Sequence, residues 1–135
     1  MTESSIKLLT HLRPDGGFKV GVMRYEWTSH STAGTVSNRL DSAGGLITKI
    51  VTNPDGTDTP TDQYDITLLD ADSQDVALGT LANRDDTDTE TVYPTVEGSA
   101  GNFTDVRACF SGTLLLTIAA AGNSKKGVIA IYYGV

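Results

Sequence analysis

One cysteine among 135 residues leaves the chain without an intramolecular disulfide, so its fold has to stand on burial and hydrogen bonding. Cys109 itself lies in the apolar run "VRACF" and is expected to be a small buried hydrophobe. Long apolar runs are missing as well. The longest, "LLLTIAAAG" from Leu114 to Gly122, is less than half of what a membrane span needs. The opening "MTESSIKLLTHLRPDGG" lacks an extended apolar core behind a basic end, so it does not read as a secretory signal and synthesis in a cytoplasm is expected. Basic residues are nearly absent from one third of the chain. Between Asn53 and Glu90 eleven acids face one base, Arg84, for −10, while the remainder carries six acids and nine bases, for +3. That balance, −7 in all, argues against the basic face that nonspecific phosphate contact requires, so neither nucleic acid nor an anionic membrane is expected as a direct partner.

Catalytic signatures are equally scarce. General acid–base work near neutral pH would fall to His11, before a proline turn, or to His30, inside "TSHST", and both read as solvent-exposed loop residues. Ser29 and Ser31 flank His30, but neighbours on a strand point to opposite faces and make no dyad. There is no P-loop, no dinucleotide fingerprint and no zinc-like Cys/His spacing. No enzyme and no cofactor are expected.

What is present is the composition of a β protein. Thr, Gly and Asp are favoured, and 135 residues suffice for one core in one domain. Period-two alternation recurs between turn residues in "FKVGVMRYEW", "TVSNRL", "GLITKIVT", "QYDITLLD", "DVALGT", near "TETVYPTV", and in "FTDVRACF", "TLLLTIAA" and "KGVIAIYY". The glycines of "DSAGG" (Asp41 to Gly45) are expected to bend the chain between two of these strands. In "QYDITLLD" Tyr64, Ile66 and Leu68 share one face; in "TLLLTIAA" Leu114, Leu116 and Ile118 do, with Leu115 as the misfit. The first and last strands are apolar on both faces, which suits a central strand or an interface. The pattern predicts an all-β antiparallel sandwich, most simply a jelly roll of about eight strands, over residues 18–135, preceded by an arm or short helix over 1–17.

Aspartate-rich loops raise the question of calcium. Asp70, Asp72 and Asp75 in "DADSQD" begin like an EF-hand loop, but Gln74 holds the fifth position, Asp75 the sixth in place of glycine, and Leu81 the twelfth in place of glutamate. "NPDG" (Asn53 to Gly56) is a type I turn signal, so the loop around it reads as a charged, solvated hairpin-like connection.

The stretch "GGLITKIVTNPDGTDTPTDQYDITLLDADSQDVALGTLANRDDTDTE" (Gly44 to Glu90), together with the closing "KKGVIAIYYGV", resembles capsid cement or decoration proteins of tailed bacteriophages. The resemblance implies a jelly roll or related sandwich that binds the outside of a mature HK97-type shell, as dimers or trimers, and bridges neighbouring major capsid protein subunits against internal DNA pressure. It places the chain on the outer capsid surface of a virion made in a bacterial host. Interface candidates are then Ile6, Leu8 and Leu9 of the N-terminal arm, and Tyr25, Trp27, Tyr132 and Tyr133 of the two-faced strands. A homodimer is expected, because a final strand apolar on both faces could pack or pair with its own copy. Two other roles fit the same texture: a low-copy tail or head-to-tail component, and a carbohydrate-binding sandwich presenting Trp27 and tyrosines.

Overall fold

The computed structural model describes residues 3–14, 19–96 and 106–134. Among them the chain forms nine strands and no helix: β1 (Ser5–Leu12), β2 (Val20–Thr28), β3 (Val36–Pro54), β4 (Asp65–Leu69), β5 (Glu90–Val92), β6 (Thr95–Val96), β7 (Val106–Arg107), β8 (Cys109–Ala119) and β9 (Lys126–Gly134). Every pairing is antiparallel. None of the described residues forms a helix long and apolar enough to cross a membrane.

One seven-stranded sheet runs β1-β2-β9-β3-β8-β4, with β5 also on β3, and β6 pairs with β7 apart from it. β3 belongs to both layers of the sandwich. Its residues 36–46 pair with β8, and its residues 46–54 pair with β9; Ile50 to Thr52 carry β5 on the opposite edge. The chain is thus a long hairpin rolled up. β2 lies on β9, the first half of β3 on β8, the second half on β5, and β4 meets the segment 75–84 through the bridges Leu69↔Asp75 and Tyr64↔Arg84. Rolling adds β9 against β3 and β8 against β4, which is the jelly-roll arrangement.

The two layers close on a single core. Met23, Tyr25 and Trp27 of β2, Ile129, Ile131 and Tyr133 of β9, and Ile47 and Ile50 of β3 face Leu114, Leu116 and Ile118 of β8 and Ile66 and Leu68 of β4. Ring contacts tie the core together, Trp27 to Tyr64 at 5.6 Å and Tyr133 to Phe110 at 5.5 Å between centroids. The misfit Leu115 points outward, half-buried between Arg39 and Leu69 of the flanking strands.

The "DSAGG" glycines do not separate two strands; they let one strand pass between layers. Bulges lie between Arg39 and Ser42 and between Ile47 and Lys49, and each adds twist. Gly45, at φ 149°, sits where a Cβ would lie 2.2 Å from the Gly134 carbonyl, so only glycine lets β9 approach there. "DVALGT" is not a strand either. The Asp75 carboxylate accepts hydrogen bonds from the amides of Leu68, Ala77 and Gly79, holding this segment in turns whose ladder to β4 is the single bridge Leu69↔Asp75. Cys109 is exposed, because Phe110 takes the inward position beside it.

Residues Ser5–Leu12 form an edge strand, neither a free arm nor a helix. Helical spacing over so few residues cannot pay for nucleation, whereas the edge of β2 offers a ready ladder. A bulge between Leu8 and Thr10 puts Ile6 and His11 on the same inward face, opposite Trp27 and Met23. The free edge of β1 is stapled by side chains to the first half of β3. Ser4 Oγ donates to Asn38 Oδ1 at 2.9 Å, His11 Nδ1 meets Asp41 Oδ2 at 2.8 Å, and Arg13 donates to the Ser42 carbonyl at 3.1 Å. Such covering leaves less of the edge open to another chain.

Candidate interaction surfaces

The sequence candidates separate once the sandwich closes. Tyr25, Trp27 and Tyr133 are core residues and are not available to a partner in the folded chain. β9 is largely apolar on both faces, and β2 carries Val20 and Val22 beside Arg24 and Glu26 on the face away from Met23, Tyr25 and Trp27; the larger apolar and aromatic set of each strand is the buried one. Ile6 is half-buried and packs on that core. Leu8, at the sheet edge, and Leu9, at the bulge, remain exposed, and Tyr132 is half-buried on the outer face. β9 has β2 on one edge and β3 on the other, so a second copy cannot pair with it edge to edge.

His11 is not a loop residue. Its side chain is 7% exposed, and it links Asp41 on one side to the Tyr133 hydroxyl on the other, each at 2.8 Å. The Tyr25 hydroxyl accepts the Asp41 amide in the same network. Burial pushes the Tyr25 phenol up to about 12, and the neighbouring Asp41 carboxylate adds to the shift. The group fastens β1, β3 and β9 to one another. Ser29 and His30 do not form a dyad: Ser29 Oγ donates to the Gly122 carbonyl, while His30 Nδ1 accepts the amides of Thr32 and Ala33.

The acidic loops are built by their own carboxylates. Asp55 accepts the amides of Asp58 and Thr57, Asp70 those of Asp72 and Gln74, and Asp85 those of Asp88 and Thr87. These bonds hold the Asp55 and Asp85 carboxyls below the usual carboxylate range. Of the calcium candidates Asp70, Asp72 and Asp75, the carboxylates of Asp70 and Asp75 each accept backbone amides, and the three do not form a group of ligand atoms within 4.8 Å of one another. Among the described residues the group of three carboxylates whose ligand atoms lie within 4.8 Å of one another is Asp62, Asp85 and Asp86.

The two outer faces of the sandwich differ. On the β8 layer, Ser37, Arg39, Thr67, Ser111 and Thr117 predominate. On the β9 layer, the register sets out the rows Leu12–Val22–Tyr132–Lys49, Val20–Gly134–Leu46 and Arg24–Ala130–Val51, mostly apolar, beside the charged row Lys7–Glu26–Val128–Asn53. Leu12, Val20 and Leu46 remain 48%, 46% and 44% exposed. In the third row the single methyl of Ala130 lies between longer side chains. It helps form a hollow of about 250 Å³, with Leu9, Val128 and Thr89 on its rim. Arg24 donates to the Tyr132 hydroxyl at 3.2 Å, and Lys49 Nζ stands 4.6 Å from the centre of the same ring. Neither cation has a carboxylate at ion-pair distance among the described residues. Sequence reading missed Arg24, Lys49, Val51, Val128 and Ala130 as a group. Alternation marks each as facing away from its inward neighbours, but only the cross-strand register makes them adjacent.

Set against protein-family models, curated proteins and solved structures, the chain matches none.

Proposed function

We propose that this chain is a structural virion protein that binds the outer surface of a mature tailed-phage capsid and cements neighbouring major capsid protein subunits. The observation that carries the reading is an asymmetry of the sandwich: the β9 layer leaves Leu12, Val20 and Leu46 exposed together on its outer face, whereas serine, threonine and arginine predominate on that of the β8 layer. A contiguous exposed apolar face rimmed by polar groups is the usual mark of a protein-binding surface. The acidic stretch between Asn53 and Glu90, carried on loops around β4 and β5, gives the molecule a charge polarity that would orient it on an oppositely charged shell.

Magnitudes favour a many-copy role. Burying the exposed halves of Leu12, Val20 and Leu46 recovers about 1 kcal/mol each, well short of the roughly 8 kcal/mol that corresponds to micromolar binding. One such patch is weak; contacts made together on a repeating lattice are not. The sugar-binding alternative loses its main platform, because Trp27 is fully buried.

The test is to mix the protein with expanded phage heads that lack it, pellet the heads and count bound copies. Saturation in proportion to the capsid subunits, with heads that then better survive heat, is the expected result. Binding of a few copies per particle would assign the chain to a vertex or tail, and absence of binding would end the cement reading.

A further inference from the structure

The outer face of the β9 layer changes character along its strands. β9 has 9 residues, so about 27 Å separate its two ends. At the Gly134 end stand the exposed side chains of Leu12, Val20 and Leu46. Gly134 lies between Val20 and Leu46 in the ladder and carries no side chain, which leaves a trough between two apolar walls. At the Lys126 end stand acidic loops. The Asp55 amide donates to the Lys126 carbonyl, and the Lys126 amide to that of Asp58. Arg84, next to Asp85 and Asp86 in the chain, bridges to Tyr64, whose ring packs on Trp27, the ladder partner of Gly127.

Four cations stand beside the exposed trio. Arg13 follows Leu12 and Lys19 precedes Val20 in the chain, Lys49 ends the row Leu12–Val22–Tyr132–Lys49, and Arg24 donates to the Tyr132 hydroxyl of that row. None of the four has a carboxylate at ion-pair distance among the described residues. Arg13 donates to the Ser42 carbonyl and Lys49 stands over the Tyr132 ring, contacts that leave their charges uncompensated. The acids of the neighbourhood are engaged elsewhere. Asp41 is tied to His11, and Glu26 lies one row beyond Arg24 toward the acidic end, opposite Lys7. In sequence, the connection from Leu12 to Val20 sets one acid, Asp15, against two bases, Arg13 and Lys19.

We propose that this basic, apolar end of the β9 layer is the surface that meets the capsid, and that the shell offers it an acidic protein surface with apolar side chains of its own. The inference rests on the cement reading and adds to it the chemistry of the partner and the direction of docking. Leu12, Val20 and Leu46 face the shell, while the loops of Asp55, Asp58, Asp85 and Asp86 stand about 27 Å away in solvent. The charge polarity of the molecule then acts from its basic pole: the cations steer the approach and fix the register, and the trio supplies the burial. The same uncompensated charges disfavour a two-fold contact of this face with itself, which would set like charges together.

Binding of the full chain to expanded heads that lack it, in low and high salt, tests the inference. Wild type is expected to bind and to weaken as salt rises. Lys19→Glu with Lys49→Glu should lower the affinity about tenfold or more at low salt. Val20→Thr with Leu46→Thr, which keeps β-branched residues on the strands, should lower it about tenfold at either salt. Asp58→Asn with Asp86→Asn, at the far end, should bind at least as well as wild type. Trp27 fluorescence confirms that each variant is folded. Undiminished binding by either the charge-reversed or the threonine pair would overturn the inference and leave the cement reading in place. Loss of binding in the asparagine pair would also overturn it, by docking the acidic loops instead. Wild type that does not bind the heads would end the cement reading and this inference together. Sedimentation velocity and phosphatidylserine vesicles probe other occupants: wild type that dimerises or binds vesicles, and loses that property in the threonine pair while head binding persists, would give the face to a second copy or to lipid and overturn the proposal.

Discussion

Replacing Gly127 by alanine should destabilise the protein, and the sign of the effect is itself informative. In an ordinary strand, alanine is favoured over glycine by about 0.5–1 kcal/mol, because glycine loses more freedom on folding. Here the added Cβ would lie 2.6 Å from Trp27 Cζ2, 2.8 Å from Cε2 and 3.0 Å from Nε1. Carbon pairs are comfortable only at about 3.5–4.0 Å, so the overlap is close to 1 Å. Neither side can yield easily. Gly127 and Trp27 are direct partners in the β2–β9 ladder, and the far side of the indole is backed by Tyr64 at 5.6 Å. Overpacking of this kind costs about 1–3 kcal/mol, a sizeable part of the 5–15 kcal/mol that holds a typical domain together. For a domain of this length, that corresponds to a midpoint lowered by roughly 3–12 °C. Trp27 is the single tryptophan, so its fluorescence reports the site directly during urea unfolding. The midpoint should fall with the slope unchanged, and Trp27→Phe in the Gly127→Ala background, followed by circular dichroism because it lacks the fluorophore, should recover part of the loss, the coupling expected of groups in contact. A midpoint equal to or above wild type would show that the indole does not occupy the space above Gly127, and the assignment of β2's inward face would fail with it.

Other consequences follow from the same geometry. His11→Ala should cost about 2 kcal/mol in a thermal melt, since it removes the ties from β1 to Asp41 and Tyr133; an unchanged melting temperature would mean that β1 is held by its ladder alone. Burial raises Tyr25 and Tyr64 from 10 to about 12, so the folded state holds these protons more tightly than the unfolded chain. Their stabilisation is complete below pH 10 and declines as pH rises toward about 12, visible as loss of fold alongside phenolate absorbance near that limit. At the acid end the sign reverses: the Asp55 and Asp85 carboxyls are held low by backbone amides, so their contribution is complete above the ordinary value of 3.8 and lost as pH falls through the lower folded values. Asp55→Asn should flatten that acid limb in urea titrations, and an unaltered limb would exclude Asp55 from it. Leu78→Gly should raise the urea midpoint by an amount equivalent to about 1 kcal/mol by relieving the left-handed backbone, and a lowered midpoint would show that Leu78 is held by packing.

Much of the architecture was legible in residue order. Alternation in "QYDITLLD" and "TLLLTIAA" fixes which residues share a face whatever the strands pair with, because side chains on a strand alternate by covalent geometry. Turn residues and strand number led to the jelly roll for the same local reason. Where local signals tied, the sequence was silent. "GVIAIYY" is apolar on both faces, and nothing in it says that Ile129, Ile131 and Tyr133 turn inward, whereas in "GVMRYEW" Arg24 and Glu26 alternate with Met23, Tyr25 and Trp27 and mark these as the inward set. In β9 the choice was made when the layers met, since Ile129, Ile131 and Tyr133 fill the space between them better than Val128, Ala130 and Tyr132 would. The expectation that Tyr133 would face a partner failed at this point; for Tyr25 and Trp27 it ran against Arg24 and Glu26. Likewise Ser5–Leu12 carries helical spacing but became a strand, because the open edge of β2 supplied hydrogen bonds that a short isolated helix cannot match.

The candidate surface lies still further from the sequence. Leu9, Arg24, Val51 and Ala130 are spread over more than a hundred residues and come together only through the registers of β1, β2, β9 and β3. The chain by itself determined its strands, its acidic segment and its capacity for one core. Tertiary structure alone decided which apolar face was buried and which was left to meet a partner, because burial is settled by what a residue packs against and not by what it is.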